Sequence, residues 1–295
     1  MKQTLISAKT LIPLLIFSII LLAGSAFYWY KYVLTDPQRI LNGMVDKSLQ
    51  TTSVNRTVTQ AQARNSVVQS VHLGFSPSLL AQSITNLEES NQSGKTKVTT
   101  ETIGTKDADF VRYTAIDITG KNSIDTKNVL NVWGSRKSEG SGEPASFLND
   151  ALFVAVPFGN LNPSQRKQVK DEIDKTKLYN IQEAKVQFVN GRPVADYTLN
   201  LEPKALVQVL AKYVELTGVG SDTELNPDAY EGAGKVPVKL QVDVLSRHLV
   251  SSEFGGSGRS EKYTSYNASR DVKVPTESID IKELQKRLTV IEQQR

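Results

Sequence analysis

The chain has 295 residues, no cysteine and a formal net charge of +4. The absence of cysteine excludes disulfides, a lipidated cysteine, thiol catalysis and thiolate metal sites. Three of the 35 basic residues and none of the 31 acidic residues precede residue 36, so residues 36–295 carry 32 basic against 31 acidic side chains. This balance, without a basic block, argues against nucleic-acid binding.

The first element is an uncharged run of 21 residues, positions 10–30. As a helix rising about 1.5 Å per residue, it is long enough to cross the ~30 Å hydrocarbon core of a bilayer. Lys2 and Lys9 precede the run, and the positive-inside rule therefore keeps the N-terminus in the cytoplasm. We predict a cytoplasmic tail at 1–10, a transmembrane signal-anchor helix at 11–32 and an extracytoplasmic domain at 36–295, in a single-pass protein of the cell membrane.

A cleaved signal peptide is the alternative interpretation of this run. The small residues Gly24, Ser25 and Ala26 offer a cleavage site. Retention is favoured because the apolar run continues past that site into the aromatic segment 27–30. Aromatic rings followed by a lysine are typical of the membrane–water boundary.

The first half of the predicted domain begins with a helix and continues as strands. Asp36-Pro37 begins an amphipathic helix of about 14 residues. Alternating segments rich in Val and Thr then predict strands. These are 52–60, 65–75, 95–103 and 110–118, with a shorter strand at 129–133. The polar segments 76–94 and 134–144 are predicted to be loops, the first with a short helical piece.

The second half contains a strong hairpin signal. Two alternating runs between residues 184 and 201 flank Asn190-Gly191, a dipeptide that adopts positive φ at both positions of a tight turn. Alternation of Val and Leu also predicts a strand at 236–244 that returns at 248–256. The remaining predictions are helices at 162–178, 203–217 and 279–290, a strand at 262–267 and a loop at 219–235.

These elements predict an α+β fold. Long antiparallel strands dominate, and little of the chain has the rhythm of parallel β-α-β units. A sheet of this length with one apolar face must curve around helices to cover that face. We therefore expect an open half-barrel, a curved antiparallel sheet closed by helices and preceded by one N-terminal transmembrane helix.

The arrangement resembles the LolA/LppX superfamily of extracytoplasmic lipid and lipoprotein carriers. The opening helix LNGMVDKSLQTTS leads into a strand, as in that family. The chain also has two hairpins similar to the paired hairpins of that family, VQFVNGRPVADYTLNL and VPVKLQVDVLSRHLVSSEF. The helix KALVQVLAKYVELTG separates them. The ending YTSYNASRDVKVPTESIDIKEL is similar to its last strand and closing helix. The resemblance implies an apolar cavity that holds acyl chains on the concave side of the sheet.

The sequence contains no pattern typical of catalysis or metal binding. His72 and His248 are the only histidines, and they lack the spacing of a metal site. The acidic run 222–228 does not match a calcium loop. The glycine-rich segments 232–235 and 255–258 do not complete a phosphate-binding loop, and no serine-hydrolase motif is present. We predict no enzyme activity, no catalytic residue, no cofactor and no metal.

The apolar faces of the two hairpins leave two interpretations open. If the domain carries a lipid or another apolar ligand, seven residues on these faces line its cavity. If the domain has a filled core, the same seven residues pack against the helices 37–50 and 203–217. The seven are Val186, Phe188, Tyr197, Leu199, Leu240, Val242 and Val244. The first interpretation predicts a non-catalytic binding protein, attached to the membrane through residues 11–32. The second predicts a protein-interaction or envelope-sensing module with a filled core and the loops 134–144 and 219–235 as its contact surface.

Overall fold

The structure is a computed structural model, and it describes residues 18–25, 27–28, 34–62, 65–91, 94–119, 126–137, 146–219 and 225–293. The predicted tail at 1–10 lies outside these residues. Of the predicted anchor at 11–32, the structure describes 18–25 and 27–28, which are helical and exposed. None of the helices within the described ranges combines the length and the apolar character needed to cross a membrane.

Twelve strands form one sheet in the order β12-β6-β5-β4-β3-β2-β1-β11-β10-β9-β8-β7. Every neighbouring pair is antiparallel except β12 with β6, which is parallel. The sheet is open, with β7 and β12 at its two edges. The strands are β1 Ser53–Gln62, β2 Asn65–Gly74, β3 Leu80–Asn91, β4 Gly94–Gly104, β5 Ala108–Ile118, β6 Gly134–Lys137, β7 Asn180–Val189, β8 Arg192–Leu201, β9 Val236–Asp243, β10 Leu249–Phe254, β11 Arg259–Thr264 and β12 Ile279–Asp280.

Five α-helices accompany the sheet in the part of the domain that the structure describes. Local signals explain where they begin and end. The Asp36 carboxylate accepts a hydrogen bond from the Arg39 amide at 2.7 Å, and Asn162 and Gln165 form a reciprocal capping box. Gly218, with φ of 62°, ends the fourth helix. The helices are α1 Pro37–Ser48, α2 Ser146–Leu152, α3 Pro163–Thr176, α4 Pro203–Thr217 and α5 Ile281–Gln293.

The predicted hairpin at Asn190-Gly191 is confirmed. The two residues have φ of 51° and 77°, and they join β7 to β8 in a two-residue turn. Positive φ at both positions is the conformation whose twist matches that of the flanking strands. The alternation in 236–244 is also confirmed, because Val238, Leu240 and Val242 are all buried in β9.

One face of the sheet carries the hydrophobic core. Helices α1, α3 and α4 and the segment 153–161 pack against the central strands and against β8 and β9. A second, smaller cluster forms where α5 packs on β5 and β6, around Leu284. The predicted class, an α+β fold with a large open antiparallel sheet and helices on one face, is therefore confirmed.

The prediction of a loop at 76–94 is wrong, since Leu80–Asn91 is the long strand β3. Its sequence is polar because charged and polar side chains pair across its exposed face. Glu88 forms ion pairs with Lys95 and Lys97, and Gln82 donates to Glu101 at 2.7 Å. Cross-strand pairs of this kind stabilise a strand without an apolar stripe.

The region around residue 134 also differs from the prediction. Residues 129–133 contain only an isolated bridge from Leu130 to Tyr113, and the strand follows at Gly134–Lys137, inside the predicted loop. Gly134 permits close packing, because a Cβ there would lie 2.8 Å from Leu284 Cδ2. The strand predicted at 262–267 is shifted to Arg259–Thr264, and α2 and β12 were not predicted.

Candidate ligand cleft

Two strand connections at one end of the sheet border an open cleft. The connection from β2 to β3 spans 75–79, and the connection from β4 to β5 spans 105–107. Register places both at the same end, because Gly74 pairs with Leu80, Ala81 with Gly104, and Gly104 with Asp109. The segment 159–161 and the C-terminal end of α4 complete the walls, and the volume of the cleft is about 550 Å³.

The exposed surface of the cleft is about equally polar and apolar, with charged residues at its rim. Leu161 and Val219 are buried in it, while Lys106 and Asp107 are exposed at its edge. Its volume falls within the range of about 300–1,000 Å³ that is common for small-molecule sites. The other apolar residues of the lining are Phe75, Pro77, Leu79, Leu80, Leu216 and Val274.

Hydrogen bonds to the backbone hold the end of α4 against the cleft. The Tyr213 hydroxyl donates to the Phe158 carbonyl at 2.7 Å, and the Gln165 amide donates to the Leu216 carbonyl at 2.9 Å. Burial raises the pKa of the Tyr213 hydroxyl, which keeps it protonated as a donor. Gly159 allows this approach, since a Cβ there would lie 3.1 Å from the Tyr213 hydroxyl oxygen.

The seven residues predicted to line a cavity lie in three environments. Five are at most 2% exposed and belong to the main core: Tyr197, Leu199, Leu240, Val242 and Val244. Val186 is half-buried against that core, and Phe188 is 66% exposed. None of the seven lines the 550 Å³ cleft. Their contact with a ligand stays a prediction.

Two of the seven also border a groove of about 290 Å³, whose other lining residues are polar or charged. Tyr197 and Leu240 contribute little side-chain surface to it, because they are 1% and 2% exposed. The Tyr197 hydroxyl instead donates to the Pro37 carbonyl at 2.7 Å. This bond joins β8 to the start of α1 across the core.

Neither histidine lies in the cleft. His72 Nδ1 is 2.7 Å from the Asn55 side-chain oxygen, and burial lowers its pKa. His248 stacks on Tyr266 with ring centroids 4.0 Å apart, and burial also lowers its pKa. No group of three or more His, Cys, Asp or Glu side chains in the described ranges is placed to hold a metal ion.

Sequence reasoning missed the cleft because its parts come from distant segments. Leu79 and Leu80 stand in a polar stretch without helical or strand periodicity, and Leu216 reads as one more member of the apolar stripe of a helix. One local signal was available. A pair of leucines near the start of the predicted loop at 76–94, close to Phe75, is more apolar than a solvated turn needs.

Comparison with known proteins gives similarities of fold alone. The sequence matches no protein-family model and no curated protein. Among solved structures, the chain is similar to the crystal structure of LprF from Mycobacterium bovis, with 15% identity and a TM-score of 0.40 over 81% of this chain and 96% of that one. It is also similar to a DUF1329 family protein from Desulfovibrio piger ATCC 29098, with 10% identity and a TM-score of 0.19 over 85% of this chain and 100% of that one.

The arrangement of elements that the predicted resemblance implies is present in the described residues. The chain has the expected opening helix, long antiparallel sheet, paired hairpins and closing helix. At these TM-scores the two solved structures carry no information on a ligand.

Proposed function

We propose that this protein is a membrane-anchored, extracytoplasmic binding protein that holds a lipid or another apolar ligand without catalysis. The observation that carries the proposal is the 550 Å³ cleft, whose wall combines half-buried apolar side chains with polar ones. A cleft of this volume, lined by apolar side chains with a few polar groups among them, is the common form of a small-molecule site. The ligand is held by burial of its hydrocarbon, which contributes about 0.8 kcal/mol per CH₂ group before the costs of binding.

The shape of the cleft favours an amphipathic ligand. The half-buried side chains of Leu79, Leu80 and Leu216 present apolar surface to the cleft, and a chain of CH₂ groups can pack against them. Lys106 and Asp107 at the rim present one charge of each sign to solvent. A polar head group would remain among these rim residues while the hydrocarbon enters.

The proposed attachment to the membrane rests on the uncharged run at 10–30 and on the basic residues before it. A single helix at 11–32, with the N-terminus in the cytoplasm, would place residues 36–295 outside the cell membrane. Protease added to intact cells should then degrade the domain, and the full chain should sediment with membranes. A soluble form that begins near Phe27 would contradict the anchor.

A matched pair of substitutions in α4 tests the cleft. Leu216→Trp places a bulky ring in the cleft, whereas Leu206→Trp makes the same change at a half-buried position of α4 outside it. We expect Leu216→Trp to reduce binding of a fluorescent acyl probe to the purified protein by at least tenfold, and Leu206→Trp to leave it unchanged. Native mass spectrometry of the parent should detect bound lipid.

The packed core favours a second candidate function. Because five of the seven predicted cavity residues are buried in the core, a filled domain that binds a protein partner is the alternative. In that case native mass spectrometry would give the bare mass of the chain, and the parent protein would bind no acyl probe. Equal probe binding by both tryptophan variants would place the ligand elsewhere than the cleft.

A further inference from the structure

The start of the domain is fixed at one end of the sheet. The Arg247 guanidinium, in the turn between β9 and β10, donates to the Leu34 carbonyl at 3.1 Å. The stem of Arg247 also packs on α1, where a Cβ at Gly43 would lie 3.2 Å from Arg247 Cγ. The residue two positions after the predicted anchor is thus held at this turn.

The β9–β10 turn and the β7–β8 turn lie side by side. The Val244 amide donates to the Pro193 carbonyl at 3.0 Å, and Pro193 pairs with Phe188 across the hairpin. The neighbouring strands from β10 through β11, β1, β2 and β3 to β4 are all antiparallel. The β2–β3 and β4–β5 connections, which border the cleft, therefore lie at the same end of the sheet as these two turns. We call residues 188–192 and 244–247 the anchor-side turns.

The anchor-side turns expose apolar side chains next to a cation. Phe188 is 66% exposed, Leu245 is 63% exposed and Val189 is 36% exposed. Arg192, which pairs with Val189 at the turn, is also exposed. Isolated apolar residues are ordinary on a surface. Here three of them share one end of the sheet with an arginine, a composition typical of segments that lie in the membrane interface.

The connection to the anchor is too short to keep these turns away from lipid. Leu34 lies two positions after the predicted end of the anchor at 32, and two steps of extended chain span about 7 Å at most. The polar head-group region is of similar depth, about 5–8 Å on each side of the hydrocarbon. If residue 32 lies at the boundary of the hydrocarbon, the anchor-side turns lie at the level of the lipid head groups.

We propose that the anchor-side turns rest on the outer surface of the bilayer that holds the anchor, with Phe188 and Leu245 inserted between lipids and Arg192 at the phosphates. This inference rests on the membrane attachment in the proposed function. In this placement the strand connections 75–79 and 105–107, which border the cleft, face the same bilayer. A lipid can pass from the membrane into the cleft without crossing water.

Because the chain contains no cysteine, single thiols test this placement cleanly. The variants Leu245→Cys, Phe188→Cys and Ser66→Cys are made in the full chain, and each is labelled with an environment-sensitive fluorophore. Ser66 is an exposed control near the start of β2, at the opposite end of the sheet. Each labelled protein is reconstituted into vesicles of phosphatidylcholine and phosphatidylglycerol, with or without a lipid that carries a doxyl quencher near its head group.

We expect the probes at positions 245 and 188 to be blue-shifted and quenched by the doxyl lipid, and the probe at 66 to be neither. Three outcomes overturn the proposal. Protein that does not float with the vesicles removes the anchor and this inference together. Protein that floats, with probes at 245 and 188 as solvated as the probe at 66, removes this inference alone. A blue shift that occurs without quenching, and that increases with the density of protein in the vesicles, would mean that the turns contact a second copy of the chain.

Discussion

Val242 is completely buried in β9, where it pairs with Ala195 of β8 and Leu249 of β10. All three belong to the main core, and the helices cover them from one side. A close-packed site of this kind has no room for added volume. The same side chain would tolerate enlargement if it faced a hollow, so this residue separates a cavity wall from a packed core.

We expect Val242→Phe to lower the free energy of unfolding by about 1–3 kcal/mol, because the larger ring overpacks the core. Denaturant unfolding of the purified protein measures the change. Lys239→Phe introduces the same ring on the exposed face of the same strand, and it should change stability much less. A Val242→Phe protein with the stability of the parent and weaker binding of an acyl probe would instead indicate a ligand cavity at the seven predicted residues.

At the scale of elements, α5 covers an otherwise bare part of the sheet. Leu284 and Ile291 are 1% and 5% exposed, and they pack with Val111 and Tyr113 of β5. The helix follows β12, which pairs with the edge of β6. Since this cluster is separate from the main core and much smaller, its helix can open without unfolding of the rest of the domain.

Leu284→Ala should therefore loosen α5 while the main core stays folded. Loss of a buried leucine side chain costs about 2–5 kcal/mol. This cost is a large part of the stability that a cluster of three buried residues can supply. Amide hydrogen exchange of 281–291 should become faster, with exchange of α4 unchanged. Val290→Ala, at a position of α5 that is 54% exposed, is the matched control. Equal acceleration of α4 would mean that α5 and the main core unfold together.

At the scale of the whole molecule, the two histidines link stability to pH. Burial lowers the pKa of His72 and of His248 below the ordinary value of 6.5, with further lowering by the charge of Arg270 on His72 and of Lys47 on His248. The unfolded chain consequently binds protons before the folded chain does as the pH falls. Their contribution to stability is complete above the unfolded pKa and is lost as the pH falls towards the folded pKa.

Thermal unfolding should show this dependence. We expect the melting temperature of the parent to fall between about pH 7 and about pH 5. In the double variant His72→Gln/His248→Gln the fall should be smaller, because glutamine does not titrate in this range. Circular dichroism of both proteins at the two pH values measures the difference. The same fall in both proteins would assign the dependence to carboxylates.

The sequence by itself determined the elements whose signals are local. The cap at Asp36, the Asn190-Gly191 turn and the alternation of β9 act over a few residues, so they predicted those helices and strands and the α+β class. The polar strand β3 escaped prediction because its stability comes from pairs with β2 and β4 rather than from an apolar stripe.

Only the tertiary structure decided what covers each apolar face. Alternation places Tyr197 and Val242 on one face, but helices from other parts of the chain fill the space above them. The cleft between 75–80, 105–107 and 213–219 likewise exists only because the fold brings distant segments together.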